Sequence, residues 1–259
     1  METGLGGTVA AAAAAGATGA SPGPAGQPPV LVLDNVTAGY SEDIDIIRNL
    51  SLEVPRGEMR GIIGLNGAGK STLLKTICSF LRPKRGDVRL NGRSLLSVAP
   101  HECLREGLFL IPQESSLFPH LTVDANLALI ARATGAPVQT VYQRFPDLKE
   151  RRHVKAGNLS GGQQKMVEFG KALLAQPKML LIDEPSVGLA PQVARQVYRW
   201  IEEFAQEGMT ILLVDHNIMR VIEMVDYVYV LTLGQITAQG RPEQFRDDLR
   251  RQVSTWLGL

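Results

Sequence analysis

Two cysteines in a chain of 259 residues are too few for a disulfide framework. Cys78 and Cys103 stand far apart, neither lies in a CxxC, and no Cys/His cluster has the spacing of a zinc site. Both read as small core residues in a reducing compartment. An excess of one charge is missing too: 27 Lys and Arg face 26 Asp and Glu, for a net charge of +1. Nothing in that balance draws the chain to nucleic acid or to an anionic membrane, and no nucleic-acid partner is expected. The basic pairs Arg151-Arg152 and Arg250-Arg251 read as solvated helix faces or loops. No apolar run is long enough to span a bilayer. The one long uncharged stretch is N-terminal and consists largely of Gly, Pro and Ala, and no Lys or Arg precedes Arg48. A secretory signal needs a basic start and a defined apolar core, so none is expected, and the chain should be cytosolic unless something carries it to a membrane. No repeat of solenoid type is visible.

What is present divides into a tail and a folded part. Residues 1–29 contain an alanine run, Ala10 to Ala15, and then SPGPAGQPP. Such a segment buries too little apolar area to offset its ordering entropy and is expected to be a disordered tail. The remaining length and the 44% hydrophobic content fit one large α/β domain with a real core. VLVLDNVTAGY and LSLEVPRGE show short alternating runs that read as antiparallel strands. Met59 to Gly64 is a buried strand running into a glycine-rich turn, and Ser71 to Leu81 has helical spacing and stops before Pro83. VRLNGRSL is a strand, an Asn91-Gly92 turn and a strand. Leu108 to Gln113 is a short apolar strand, and the stretch from Glu114 to about Leu159 is mostly helical, with breaks at Pro119, Pro137 and Pro146. Ser160 can cap a helix from about Gly162 to Ala175. MLLID is an apolar strand ending in acids, as in a parallel sheet buried on both faces, TILLVDH is the next buried strand, and Gln192 to Glu207 is a helix ended by Gly208. Alternating strands and helices imply a parallel α/β sheet, with the central helical stretch as an inserted lobe.

Three motifs carry chemistry. GLNGAGKST comprises Gly64, Leu65, Asn66, Gly67, Ala68, Gly69, Lys70, Ser71 and Thr72, and fits G-x-x-x-x-G-K-[ST] between a strand and a helix. There the backbone N–H groups point at phosphate oxygens, Lys70 places a cation on the β- and γ-phosphates, and the Ser71 hydroxyl can ligate Mg²⁺. MLLIDEP ends an apolar strand in two acids: Asp183 would hold Mg²⁺, and Glu184 is placed to take a proton from an attacking water. Alone this motif is an ordinary strand end; after a P-loop at this distance it is informative. In NLSGGQQ, Ser160, Gly161, Gly162 and Gln163 present a hydroxyl, backbone amides and a helix N-terminus, a second anion-binding surface in a chain with one P-loop.

The order GLNGAGKST, Gln113 after an apolar strand, LSGGQ, LLIDEP and His216 after ILLVD resembles the ABC ATPases over about Val30 to Leu259. The resemblance implies a P-loop NTPase fold with a RecA-like parallel-sheet core, an antiparallel β lobe and an inserted helical lobe at about 114–162. It implies ATP and Mg²⁺ as cofactors and a second ABC ATPase subunit as partner, in a homo- or heterodimer where each LSGGQ closes over the other's ATP. Transmembrane permease subunits and, indirectly, a solute-binding protein follow, as does a peripheral place on the cytoplasmic face of the inner membrane. Carried over by position, Tyr40 matches the aromatic that stacks on adenine, Gln113 the glutamine that contacts Mg²⁺ and water, and His216 the histidine that contacts the γ-phosphate. Ser186 to Pro191, SVGLAP, matches the loop that crosses the dimer interface. There Ala190 stands where many ABC ATPases carry Asp, a departure that bears on communication between the two ATP sites and not on ATP binding. SVGLAP together with RFPDLKERR and the ending RRQVSTWLGL is similar to the importer ATPases for branched-chain, hydrophobic amino acids of the Liv type, on the LivF-like side of the pair. His216 departs from the Gln that one of the two paired subunits commonly carries. Urea and short-amide importers have similar ATPases. A soluble ABC ATPase outside transport is disfavoured: too few residues separate P-loop and LSGGQ for a long coiled coil, and there is one cassette.

Overall fold

The computed structural model describes residues 27–246. The tail expected over 1–29 lies outside that range except for 27–29, which form no helix or strand, and the RRQVSTWLGL ending lies outside it entirely. Two sheets organise the chain. The smaller is antiparallel, in the order β2-β1-β4-β5, from β1 (Leu31–Ala38), β2 (Ile47–Val54), β4 (Arg85–Leu90) and β5 (Arg93–Ser94). Asn91 and Gly92, both at positive φ (48° and 79°), make the tight turn between its last two strands.

The larger sheet runs β10-β9-β3-β8-β7-β6. Its strands are β3 (Met59–Ile63), β6 (Leu108–Ile111), β7 (Met179–Asp183), β8 (Ile211–Asp215), β9 (Tyr227–Thr232) and β10 (Gln235–Gly240), and every pairing is parallel except β9 with β10. Every residue of β3, β7 and β8 is buried. The reason is that both faces are covered, so alternate side chains enter two different cores. Met59, Ile63, Leu180, Ile182, Ile211 and Leu213 join one core, and Ile62, Leu181, Leu212 and Val214 join the other.

The helices are α1 (Lys70–Ile77), α2 (Cys103–Glu106), α3 (Val123–Thr134), α4 (Gln139–Arg144), α5 (Pro146–Glu150), α6 (Gly161–Ala175), α7 (Pro191–Gln206), α8 (Ile218–Met224) and α9 (Glu243–Arg246). On one face of the large sheet, α1 buries Leu73, Leu74 and Ile77 against Leu31, Ile47 and Val54 of the small sheet. On the other face lie α6, α7 and α8, and α3 to α5 pack outside them. An aromatic chain ties these layers together: Phe145 meets Trp200 edge-on at 5.3 Å, Trp200 meets Phe169 at 5.6 Å, and Phe169 meets Phe204 at 5.7 Å.

One local expectation changes. The helix foreseen to Leu81 ends at Ile77, because Ser79 turns left-handed at φ 60° and its N–H bonds back only three residues, to the Thr76 carbonyl. The break expected at Pro146 is present: α4 ends at Arg144, Phe145 leaves the helical region at φ −126° and ψ 77°, and Pro146 opens α5 at its first position, where a missing N–H costs nothing. Both cysteines are buried, and the Cys103 thiol donates to the Cys78 carbonyl at 3.4 Å. Among the described residues no helix is long and apolar enough to cross a membrane.

Candidate nucleotide-binding site

The end of β3 and the start of α1 are joined by Gly64 to Gly69. Gly69 sits at φ 107°, and a Cβ there would come within 2.9 Å of Ile47 Cδ1. At Gly64 a Cβ would approach the Leu231 carbonyl oxygen to 2.4 Å. Only glycine lets the loop take this path. Because Gly69 precedes α1 with no side-chain cap, the first N–H groups of the helix, at Lys70, Ser71 and Thr72, remain free for an outside acceptor.

A cavity of about 570 Å³ opens on this loop, lined by Asn66, Gly67, Gly69, Lys70, Ser71, Thr72, Gln113, Glu184 and His216, with Ile46 and Val187. The tips of β3, β6, β7 and β8 therefore deliver these groups to one end of the sheet. Lys70 is buried, and its ammonium donates to the Gly64 and Leu65 carbonyl oxygens at 2.9 and 3.1 Å while lying 3.3 Å from Glu184 Oε1. The other Glu184 oxygen is 3.3 Å from His216 Nδ1, which also lies 3.4 Å from Asp215 Oδ1. Glu184 itself is at φ 39°, a left-handed conformation unusual for a side chain of this size and most often found where a site requires it.

Asp183 is buried, and its Oδ1 has no hydrogen-bond partner. Burial first, then the Glu184 charge, raise its carboxyl from an ordinary 3.8 to about 6, while a hydrogen bond from Ser71 opposes the rise. An orphan carboxylate oxygen beside a serine hydroxyl suits a hard divalent cation. Among the described residues no cluster of three or more His, Cys, Asp or Glu could hold a metal alone. A cation here would draw its remaining ligands from phosphate and water, as Mg²⁺ commonly does. The raised value has a consequence for the nucleotide-free chain. Between pH 4 and 6 the folded state keeps a proton that the unfolded chain has shed, so stability falls as pH rises through that window. Thermal unfolding of wild type against Asp183→Asn, in chelator, should show this falling contribution in wild type alone.

Other expected residues lie outside the cavity. Ser160 caps α6 by accepting from the Gln163 N–H, and Gln163 Oε1 accepts from the Ser160 N–H, which leaves the Ser160 to Gln163 turn on the surface. Ala68 is buried, and Leu65 is exposed on the loop. Tyr40 is 59% exposed and so is not a core tyrosine; the Lys75 ammonium lies 5.5 Å over its ring and 3.3 Å from its hydroxyl. Ile46 and Val187 could not be foreseen, since nothing marks an isolated aliphatic as lining a cavity. A buried relay behind the site was equally hidden: Tyr198 OH lies 2.8 Å from Ser186 Oγ and donates to Asp215 Oδ2 at 2.8 Å.

A parallel sheet whose central strand β3 ends in a glycine-rich phosphate loop, with two acids at the end of β7, one strand beyond its neighbour β8, defines a P-loop nucleoside-triphosphatase. The family pattern described as ABC transporter matches residues 47–187. The chain is 38% identical over 212 residues to the high-affinity branched-chain amino acid transport ATP-binding protein BraG of Pseudomonas aeruginosa, covering 80% of this chain and 91% of that one. It is 33% identical over 215 residues to the lipopolysaccharide export system ATP-binding protein LptB of Acidithiobacillus ferridurans, covering 80% and 89%. Its fold superposes on the ADP conformation of MJ1267, an ATP-binding cassette of an ABC transporter, with a TM-score of 0.78 at 30% identity, covering 90% and 100%. The chain belongs to the ABC transporter family and is an ATP-binding, ATP-hydrolysing subunit. Subunits of this kind dimerise and work with transmembrane permease components.

Proposed function

We propose that this ATPase energises import of branched-chain or other hydrophobic amino acids, at the cytoplasmic face of the inner membrane. The observation that carries the reading is the match to BraG along 80% of the chain. The Arg144 to Arg152 stretch adds to it: Arg144 pairs with Glu203 and Glu207, and Phe145 packs on Trp200, so this subgroup-like segment ties the lobe to α7. The domain would run over 30–259, with its helical lobe at about 114–162.

In this reading, the α1 N-terminus and the Gly64 to Thr72 loop hold the ATP phosphates, and Lys70 turns from its two carbonyl acceptors toward the β- and γ-oxygens. Tyr40 offers its exposed ring to adenine. Ser71, Asp183 and Gln113 would hold Mg²⁺, which neutralises developing phosphate charge when bound. Glu184 takes a proton from the attacking water, and His216 contacts the γ-phosphate. Ser160, Gly161, Gly162 and Gln163 face outward and serve the ATP of a second subunit. Closure of two subunits moves the helical lobes against permease loops, and a solute-binding protein delivers the cargo to those permeases.

The test is uptake of labelled leucine, isoleucine, valine and urea in cells lacking this gene, complemented with the wild-type or Glu184→Gln copy. Loss of leucine-type uptake that only wild type restores supports the reading. Lost urea uptake with intact amino-acid uptake would move the chain to the urea and short-amide importers. A second reading, an export ATPase, draws on the LptB relative, and it predicts normal uptake of all four solutes.

A further inference from the structure

Three charged side chains on α6 are buried without lining the cavity. Lys165, Glu168 and Lys171 are 6%, 1% and 8% exposed and recur every three residues, which keeps neighbouring members of the series within reach of each other. All three reach the loop that leaves β6. The Lys165 ammonium donates to the carbonyl oxygens of Pro112 (3.0 Å) and Gln113 (3.3 Å) and to Glu168 Oε2 (2.8 Å). Glu168 Oε1 accepts from the Ser116 N–H at 2.7 Å and from its hydroxyl at 3.4 Å. The Lys171 ammonium donates to the Ser116 carbonyl and hydroxyl oxygens, both at 3.3 Å. Buried ions are retained only where such partners satisfy them, and here the partners are the backbone on both sides of Gln113. Burial also lowers the Lys171 ammonium, with Glu168 opposing, which fits a cluster built for mutual satisfaction and not for solvent.

The helix that makes this clamp begins at the Ser160 to Gln163 turn. We propose that Lys165 and Glu168 are positioning residues that fasten Gln113 to α6, so that engagement of Ser160 by the partner subunit's nucleotide sets the placement of Gln113 in this subunit's own cavity. The clamp is thus a route of communication between two ATP sites, in a chain whose interface loop carries Ala190. It rests on the proposed readings of Gln113 as an ATP-site residue and of Ser160 as serving the partner's ATP. Ala190 itself precedes α7 with no side-chain cap, so it adds no polar contact of its own there.

The experiment uses the purified full-length chain and the variants Glu168→Ala, Glu168→Gln, Gln113→Ala and the Gln113→Ala/Glu168→Ala pair. Binding is read with a trinitrophenyl ATP analogue, turnover by phosphate release, and loop order by hydrogen exchange of the 112–117 peptide. Glu168→Ala is expected to leave analogue affinity within about twofold, lower kcat by about tenfold or more, and speed exchange in 112–117. Glu168→Gln, which keeps an acceptor for the Ser116 N–H, should recover most of kcat. In the Gln113→Ala background, Glu168→Ala should change kcat by less than about twofold, because both act through one group. Should Glu168→Ala fail to fold, Lys165→Gln serves in the same cycle. An unchanged kcat for the clamp variants, beside a lowered kcat for Gln113→Ala, overturns the clamp alone. Additive losses overturn it as well. A Gln113→Ala chain with wild-type kcat removes the underlying reading of Gln113, and the clamp's role with it.

Discussion

Glu184→Gln should bind ATP normally, turn it over roughly 10² to 10⁴ times more slowly, and accumulate as a closed dimer. The amide keeps the shape of the carboxylate and can hold the same left-handed backbone, but it cannot accept a proton from water. The contacts made by Glu184 sharpen the expectation. Its two oxygens lie 3.3 Å from Lys70 Nζ and 3.3 Å from His216 Nδ1, so it stands between a cation that reaches phosphate and an imidazole at the mouth of the cavity. Removing its charge also relieves Asp183, whose proton is held partly by Glu184. In the nucleotide-free variant that relief offsets part of the loss of the buried Lys70–Glu184 ion pair. Turnover is measured by phosphate release in the assembled transporter, and dimer state by sizing with ATP. Wild-type turnover would remove Glu184 from the chemistry.

Lys70→Ala acts earlier, on binding. A charge-assisted hydrogen bond to phosphate contributes on the order of 1.5–3 kcal/mol, so ATP affinity should fall roughly 10- to 150-fold. A second effect adds to this. Lys70 lies at 3.3 Å from Glu184 in the site and favours the ionised form of Asp183, and without it the two acids at the end of β7 lose that cation. The remaining negative charge repels the incoming phosphates, which pushes the loss toward the upper end of the range. Titration with a fluorescent ATP analogue decides the matter. An unchanged dissociation constant would mean that the Gly64 to Thr72 loop is not the phosphate site.

The central strands β7 and β8 of the large sheet could be read from the sequence because they are buried on both faces and so are apolar up to their closing Asp, as in MLLID and ILLVD. The phosphate loop was legible for another reason: its glycines and Lys70 answer to local backbone geometry, which sequence spacing records directly. What depended on distant partners was not legible. Lys165, Glu168 and Lys171 look like a solvated helix face until the loop after β6 is placed against them. The same holds for Tyr198, whose hydroxyl meets Asp215 only after α7 has packed beside β8. The early end of α1 at Ile77 was hidden because its apolar spacing continues into SFL, while the left-handed turn at Ser79 is a property of the folded chain.

The strand order of the large sheet also governs how the protein is made. β3 lies between β8 and β9, so the strand that leads into the phosphate loop meets both of its neighbours only after residues 211–232 have been synthesised. During translation Met59 to Ile63 must wait as an unpaired apolar segment while some 150 further residues emerge. A ribosome-bound chain ending before β8 should thus have no assembled phosphate loop and no ATP retention, and should depend on chaperones that hold exposed strands. A premature stop anywhere between Thr72 and β8 would thus give a chain with every phosphate-loop residue and no site.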